Sequence, residues 1–315
     1  MRKILNKYKK FKKSQESLYN FIIWCYGTIY NKIRLKFWCY ILRSRPIAES
    51  FLTNKAKLRF EKKYKKELGK KYTYTIDKDS TIPKVIWWCW LQGEENAPEL
   101  AKICLKSVRK NFPDYTINIV TMDNIKNYVK IPLSVYQKFN SGIISGAFFS
   151  DILRLNLLAE HGGIWIDSTV YCSGTETIEK IKNNDLFMYS NVVSTNSDII
   201  KMSSWLIAAS NSNMYIKEAA SLINKYAERM YYLDDYFICH IILTILADKY
   251  DNILKKNIIL NNTNPHMLAE VINDKFCREQ YEEIIKCSSF HKLNRHIVLE
   301  DSNTYYAYIK NKMLS

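Results

Sequence analysis

Short apolar runs and longer amphipathic segments alternate along the chain from residue 82 onward. Val85–Leu91 and Tyr115–Thr121 have the length and composition of strands. Between them, Pro98–Phe112 spaces its apolar residues as a helix does and carries a proline near its first turn. Two further segments have the pattern of strands: Leu186–Tyr189 and Trp205–Ala209. Four have the pattern of helices: one around Asp123–Val129, one that begins at Pro132, Asn213–Met230 and Asp234–Asp251. This order predicts an α/β fold with a mostly parallel sheet and helices on both faces.

The first 72 residues follow a different pattern, in which lysines are interleaved with aromatic and aliphatic residues. They hold 21 Lys/Arg and four Glu, a net charge of +17, whereas residues 73–315 hold 26 basic and 27 acidic residues, a net charge of −1. We therefore predict a basic amphipathic helical arm at 1–72 and an α/β domain at 73–315. Because the positive charge is confined to the arm, the pattern argues against nucleic acid as a partner of the whole protein.

Basic amphipathic helices that carry Trp and Tyr favour the interface of an anionic membrane, where each basic residue contributes about 1 kcal/mol. The arm could instead pack on the domain or form an oligomer through its helices. Its first apolar run, Leu18–Tyr30, is too short to span a bilayer and lacks a signal-peptide cleavage site. The eight cysteines have neither CxxC nor zinc spacing, which is typical of a reducing compartment. We expect a cytoplasmic protein that is peripheral at the inner face of the cell membrane.

Residues 145–170 combine several candidate functional groups. Ser150, Asp151 and Arg154 lie within one turn of a mostly apolar helix, which stops at Gly162-Gly163. A short apolar strand follows, and Asp167 comes directly after it. Ligands of open α/β sheets bind just beyond the carboxyl ends of the strands. Asp167 is therefore predicted to lie where a metal ion or a substrate group binds.

The Ser-Asp-x-x-Arg helix and the Gly-Gly-x-x-x-Asp strand resemble the DxD-containing sugar transferases, specifically the capsular-polysaccharide-synthesis branch of glycosyltransferase family 32, over roughly residues 82–300. A weaker similarity exists to the glucosylating domains of large clostridial toxins. The resemblance implies a GT-A-type, Rossmann-like fold and a nucleotide-sugar donor. It also implies retention of the anomeric configuration and a capsular or related polysaccharide, or a lipid-linked glycan, as the acceptor.

A divalent cation bridging the diphosphate would neutralise the leaving group, and Mn²⁺ and Mg²⁺ prefer oxygen ligands. Asp167 is the first candidate ligand. The position of the second motif aspartate holds Thr169, which could ligate weakly or hold a metal-bound water. His291 is a candidate late ligand, because transferases of this fold often supply one there. The alternatives are a turn-capping role for Asp167 and a structural role for His291.

Asp151 and Arg154 resemble the pair that grips the donor sugar, although an i,i+3 ion pair is the alternative. Trp87 and Trp90 are candidates for binding the nucleobase, since stacking of a base on an aromatic side chain contributes roughly 1–3 kcal/mol to binding. The alternative for these tryptophans is packing in the core.

Asp235 is predicted to lie at the acceptor side of the cleft, and the alternative is a role as a helix N-cap. The predicted donor-binding residues are Trp87, Trp90, Ser150, Asp151, Arg154, Gly163 and Ser168, and the predicted catalytic residues are Asp151, Arg154, Asp167 and Asp235.

Two other functional classes are compatible with this sequence. The absence of an aspartate at position 169 favours a catalytically inactive α/β module that binds membranes within a polysaccharide assembly system. A metal-dependent hydrolase would require a denser cluster of carboxylates and histidines than the sequence has around Asp167. Hydrolysis of a nucleotide sugar without acceptor separates the transferase from the inactive module.

Overall fold

The computed structural model describes residues 11, 18–69, 72–73, 81–191, 198–251, 253 and 259–314. The helices are α1 (Leu18–Leu42), α2 (Arg45–Lys63), α3 (Lys65–Leu68), α4 (Glu99–Asn111), α5 (Leu133–Ser141), α6 (Gly146–His161), α7 (Glu176–Ile181), α8 (Met214–Arg229), α9 (Ile238–Lys249), α10 (Met267–Glu270), α11 (Arg278–Cys287) and α12 (Tyr305–Leu314). The strands are β1 (Tyr72–Thr73), β2 (Val85–Cys89), β3 (Thr116–Val120), β4 (Gly163–Ile166), β5 (Val170–Cys172), β6 (Leu186–Ser190), β7 (Met202–Ala209), β8 (Tyr250–Asp251) and β9 (Phe290–Lys292).

The central five-stranded sheet has the order β3–β2–β4–β7–β6. Strand β2 pairs in parallel with both β3 and β4, and its Trp87 lies opposite Asn118 and Trp165. Strand β7 is antiparallel to both of its neighbours, so it runs in the direction opposite to the other four strands of this sheet. The prediction of a mostly parallel sheet is confirmed.

Both faces of this sheet are covered by helices. Successive side chains of β2 point to opposite faces, so Trp87 packs into the larger core with residues of α6, α8 and α9. Ile86 and Trp88 face the other side and pack with residues of α4. The strands are apolar on both faces for this reason, and the predicted two-sided arrangement is confirmed.

Two glycines bring α6 and β4 into position. Gly162 and Gly163 have φ angles of +66° and +96°. A Cβ atom on Gly163 would lie 2.5 Å from the carbonyl oxygen of Val85 in the adjacent strand. The chain can therefore end α6 and pair with β2 directly afterwards only because these two residues have no side chain. This turn places the end of β4, and Asp167 after it, at the carboxyl edge of the sheet.

Some segments differ from their predicted form. The helix predicted around Asp123–Val129 is a single 3₁₀ turn, Ile125–Asn127. The helix predicted to start at Asp234 begins at Ile238, because Asp235 accepts a hydrogen bond from the Phe237 amide and holds the preceding residues in a turn. A two-stranded sheet of β5 and β9 was not predicted, since these strands are three residues long and far apart in sequence.

The described part of the N-terminal arm is helical up to α3, has its last residue, Tyr72, in β1, and packs on the α/β domain. Ala56, Phe60 and Tyr64 of this arm belong to the larger core, and Phe60 lies 6.0 Å from Tyr226 of α8 between ring centroids. In α1, a Cβ atom on Gly27 would clash with the Tyr232 ring, which shows how closely this helix approaches the domain. Among the described helices, none combines the length and the apolar character needed to cross a membrane.

Candidate functional site

A cleft of about 880 Å³ lies at the carboxyl edge of the central sheet. The residues after β2 and β4 form its floor, the N-terminal end of α6 forms one wall, and the end of β9 with the residues that follow it, 292–296, forms another. Tyr236, Phe237 and His240, around the start of α9, also line it, as do residues of β7 and around α10: Ser204, Trp205, His266, Ala269 and Glu270. This is the edge at which open α/β sheets bind ligands.

Asp167 is the most heavily engaged carboxylate of the cleft. Its Oδ1 accepts hydrogen bonds from Arg154 Nη2 and from Trp165 Nε1, both at 2.8 Å. Its Oδ2 accepts from Lys292 Nζ at 2.9 Å. Its backbone amide is held by the carbonyl oxygen of Trp205 at 2.9 Å. The carboxylate therefore has one fixed orientation, although 23% of its side chain remains exposed to the cleft.

Arg154 connects the two halves of the predicted motif. Its Nη1 lies 2.8 Å from Asp151 Oδ1, one helical turn away, while its Nη2 reaches Asp167. Its Nη1 also donates to Ser204 Oγ, which in turn contacts His240 Nε2 at 3.2 Å. The guanidinium group is only 5% exposed and lies over the Trp165 ring. The predicted i,i+3 ion pair is present, and it forms part of the cleft lining rather than a free helix surface.

The two cleft aspartates have pKa values shifted in opposite directions. Burial raises the pKa of Asp151 to about 6, against the opposing effect of the Arg154 charge. Burial would also raise the pKa of Asp167, but the charges of Lys292 and Arg154 outweigh it and lower the pKa to about 2. Asp167 is thus ionised at neutral pH, while Asp151 titrates close to neutral pH. Such divergence is common where two carboxylates have different roles in one site.

Lys292 enters the cleft through the pairing of β9 with β5. Val170 lies opposite Lys292 and Tyr171 lies opposite His291. Because side chains alternate along a strand, Lys292 faces the cleft and His291 faces the interior. Lys292 Nζ donates to Asp167 Oδ2 and, at 2.8 Å, to Thr169 Oγ1.

Of the predicted metal ligands, the structure brings Asp167 and Thr169 together around Lys292 Nζ, but it places His291 away from them. His291 is fully buried, its Nε2 lies 2.9 Å from Ser173 Oγ, and burial lowers its pKa to about 3. Among the described residues, no group of three or more His, Cys, Asp and Glu side chains is arranged to hold a metal ion. Both oxygens of Asp167 already accept from cationic side chains, with Lys292 between Asp167 and Thr169. At this position the described side chains offer a divalent cation one carboxylate and one hydroxyl, both of which already accept from Lys292, so Mn²⁺ or Mg²⁺ would have to displace that ammonium group.

The structure separates the predicted donor-binding residues into two groups. Trp90, Ser150, Ser168 and the Asp151–Arg154 pair line the cleft. Trp87 does not line it, because its ring is buried against α6 and its Nε1 donates to the Gly162 carbonyl at 2.8 Å. Gly163 contributes close backbone packing within β4, as described above.

Asp235 lies beside the cleft rather than in its lining. Its Oδ2 accepts from Thr53 Oγ1 of α2 at 3.0 Å, and its Oδ1 from the Phe237 amide at 2.9 Å. The carboxylate thus links the N-terminal arm to the turn before α9. The next two residues, Tyr236 and Phe237, face the cleft instead.

The family model described as "Capsular polysaccharide synthesis protein" matches residues 40–310. The chain belongs to the capsular polysaccharide synthesis protein family. The match begins inside the predicted arm, so α2 falls within the region that this family shares. Among solved structures, "PaToxG Glycosyltransferase" is similar at 14% identity, over 76% of this chain and 94% of that chain, with a TM-score of 0.37. The comparison with curated proteins gives no match.

Some side chains in the cleft of this capsular polysaccharide synthesis protein were not assigned a role from sequence. They are Lys292, Ser204, His240 and Arg295. For Lys292 the alternation of side chains along β9 would have been a signal only once that strand and the burial of its neighbour His291 were known. For Ser204 and His240 the sequence offers no comparable signal, because their approach to Arg154 depends on how β7 and α9 pack.

Proposed function

We propose that this protein is a glycosyltransferase of GT-A type that moves a sugar from a nucleotide-sugar donor to a capsular or related cell-surface polysaccharide, or to a lipid-linked acceptor. The observation that carries this proposal is the joining of Asp151, Arg154 and Asp167 in one cleft at the carboxyl edge of the sheet. Membership of a capsular polysaccharide synthesis family supports the substrate class.

The cleft has the charge distribution that a donor diphosphate requires. Ser145 and Gly146, at the N-terminal end of α6, line it, and the amides at a helix N-terminus favour anions. Lys292 and Arg295 line the facing wall. A diphosphate placed between these walls would meet positive charge on both sides.

Sugar and base would occupy different parts of the cleft. Asp151 can accept hydrogen bonds from sugar hydroxyl groups, and Arg154 holds its carboxylate in place. Trp90 offers an aromatic face, and the Arg295 guanidinium lies 5.3 Å from its ring centroid. Stacking of a base on this ring, with Arg295 beside it, would contribute roughly 1–3 kcal/mol.

Retention of the anomeric configuration forms part of this proposal. Transfer on the face from which the diphosphate leaves requires no free carboxylate as general base. Both aspartates that line the cleft, Asp151 and Asp167, are ion-paired with Arg154. Both are thus suited to binding and charge balance rather than to nucleophilic attack.

The proposal is tested by exposing the protein to a panel of nucleotide sugars. We expect one of them to raise the melting temperature, because a ligand at 100 times its dissociation constant stabilises the folded state by about 2.7 kcal/mol. The same compound should be hydrolysed slowly when no acceptor is present. Free sugars serve as the control and should cause no shift. An inactive membrane-binding module would show neither stabilisation nor hydrolysis.

The outer face of α1 supports action at a membrane surface, and we include this location in the proposal. Large apolar side chains recur along α1 at helical spacing and are more than half exposed: Tyr19 67%, Ile22 57%, Tyr26 68%, Ile29 57%, Ile33 62%, Phe37 55% and Tyr40 81%. The opposite face docks on the domain, where Asn31 Nδ2 donates to the Leu233 carbonyl. Exposed Lys32, Lys36 and Arg43 flank the apolar face. An apolar stripe bordered by positive charge suits the interface of an anionic membrane, on its inner leaflet.

Replacing Ile22, Tyr26, Ile29 and Ile33 together by serine should release the protein from anionic vesicles. We expect partitioning to fall by at least about tenfold, since burial of an apolar side chain contributes roughly 1.5–3 kcal/mol. Flotation with phosphatidylglycerol vesicles measures the effect, and high salt should weaken binding of the wild type. Serine at the exposed Leu133, outside α1, is the control. If wild type and variant float equally, or if the variant changes only a dimer equilibrium, the face serves a second copy of the chain instead.

A further inference from the structure

Lys292 occupies the position between the two side chains of the predicted cation motif. Its Nζ lies 2.9 Å from Asp167 Oδ2 and 2.8 Å from Thr169 Oγ1. Lys292 and Asp167 are each 23% exposed, so the pair faces the cleft and can meet a ligand. We propose that Lys292 supplies the positive charge that stabilises the leaving diphosphate, in place of a divalent cation. This inference rests on the proposed transferase function.

The charges around this position are already balanced. Asp151 and Asp167 carry the negative charges, and Arg154 and Lys292 carry the positive ones. A divalent cation would have to displace Lys292 and would find one carboxylate and one hydroxyl as ligands at this position. An ammonium group needs no such ligand set, because it donates hydrogen bonds in three directions. Two of these go to Asp167 and Thr169, and the third remains for a phosphate oxygen.

Backbone pairing fixes the position of this ammonium group. Thr169 precedes β5 and Lys292 ends β9, and the Leu293 amide donates to the Thr169 carbonyl at 2.9 Å. The two side chains therefore leave neighbouring strands side by side. Such preorganised charge stabilises the negative charge that develops in a transition state without reorganisation of the site.

In the proposed step, the bond between the anomeric carbon and the diphosphate oxygen breaks, and its electron pair remains on the nucleoside diphosphate. The acceptor hydroxyl oxygen forms the new bond to the anomeric carbon. Its proton passes to the departing diphosphate oxygen. Lys292 exchanges no proton in this step and contributes charge and one hydrogen bond. No external oxidant, reductant or metal ion is required.

The first test measures binding of inorganic diphosphate by calorimetry in the presence of excess EDTA. Wild type should bind it, and Lys292→Ala should bind at least about tenfold more weakly, since a hydrogen bond to a charged group contributes about 1.5–3 kcal/mol. Lys286→Ala, which removes an exposed lysine paired with Glu283 on α11, should bind as the wild type does. Circular dichroism confirms that each variant is folded. Diphosphate binding that needs added Mn²⁺ would overturn the proposal.

The second test measures turnover of the nucleotide sugar that the thermal screen selects. Wild-type turnover should be unaffected by EDTA, and Lys292→Ala should lose about 100-fold or more, the usual cost of removing one transition-state contact. The double variant Lys292→Ala/Thr169→Asp, which has two carboxylates and no ammonium, should recover turnover only when Mn²⁺ is added. Wild-type turnover that stops with EDTA and returns with Mn²⁺ would overturn the role of Lys292 and leave the transferase function intact. No turnover by wild type under either condition would overturn both.

Discussion

Replacing Asp167 by asparagine should reduce turnover of the nucleotide sugar by about 100-fold or more, the range found when one preorganised electrostatic contact is removed. The substitution keeps the shape of the side chain but removes the charge that holds Arg154, Trp165 and Lys292 in position. The cationic groups of the cleft would then lose their common anchor. Single-turnover hydrolysis, measured at saturating donor, reports the loss directly.

The matched control for Asp167→Asn is Glu283→Gln. Glu283 also pairs with a lysine, but its side chain is 71% exposed on α11. This variant should turn over donor as the wild type does, because exposed ion pairs contribute little. Circular dichroism of both variants separates lost chemistry from lost folding. Turnover by folded Asp167→Asn close to that of wild type would contradict the assignment of Asp167 to the site.

Replacing Arg154 by alanine should lower the free energy of unfolding at pH 7 by about 3–5 kcal/mol, the cost of removing one partner of a buried ion pair. The guanidinium group is 5% exposed and faces both Asp151 and Asp167. Its loss leaves these carboxylates with one cationic partner, Lys292, on the far side of Asp167. Urea denaturation measures the change.

Two comparisons sharpen the Arg154→Ala experiment. Arg109→Ala breaks the ion pair with Glu94, whose partners are 45% and 35% exposed, and should cost no more than about 1 kcal/mol. The loss of unfolding free energy caused by Arg154→Ala should be smaller at pH 5 than at pH 7. Burial raises the pKa of Asp151 to about 6 although the Arg154 charge lowers it, so removing Arg154 should raise this pKa further. Protonation of Asp151 as the pH falls then favours the folded variant more than the folded wild type. If Arg154→Ala lost no more unfolding free energy than Arg109→Ala, or if its loss grew as the pH falls, the proposed balance of charge between Arg154 and the two aspartates would be contradicted.

The local features of the candidate site were predictable from sequence. Asp151 and Arg154 are three residues apart, so any helix through them places both side chains on one face. Gly162-Gly163 ends this helix, because the following turn needs positive φ angles and a close approach to β2. The order of apolar runs determined the α/β class and the faces of the sheet, since the two periodicities of helix and strand differ.

Side-chain contacts between distant segments could not be predicted in the same way. Lys292 meets Asp167 across a separation of 125 residues, and the contact depends on the pairing of two three-residue strands. A shift of one residue in that pairing would exchange His291 and Lys292 between the interior and the cleft. The sequence pattern drew attention to this segment and indicated the wrong side chain for the cleft.

The N-terminal arm also has some features that the sequence predicts and others that only the tertiary structure shows. Its charge of +17 and its helical character follow from composition and spacing alone. Its packing does not, because Phe60 and Tyr64 enter the core through contacts with a distant helix, as their approach to the Tyr226 ring of α8 shows. Sequence by itself therefore determined the elements, the charge split and the motif that joins α6 to Asp167. The tertiary structure decided which side chain completes the cleft and which face of α1 remains exposed, because both depend on contacts between segments far apart in the chain.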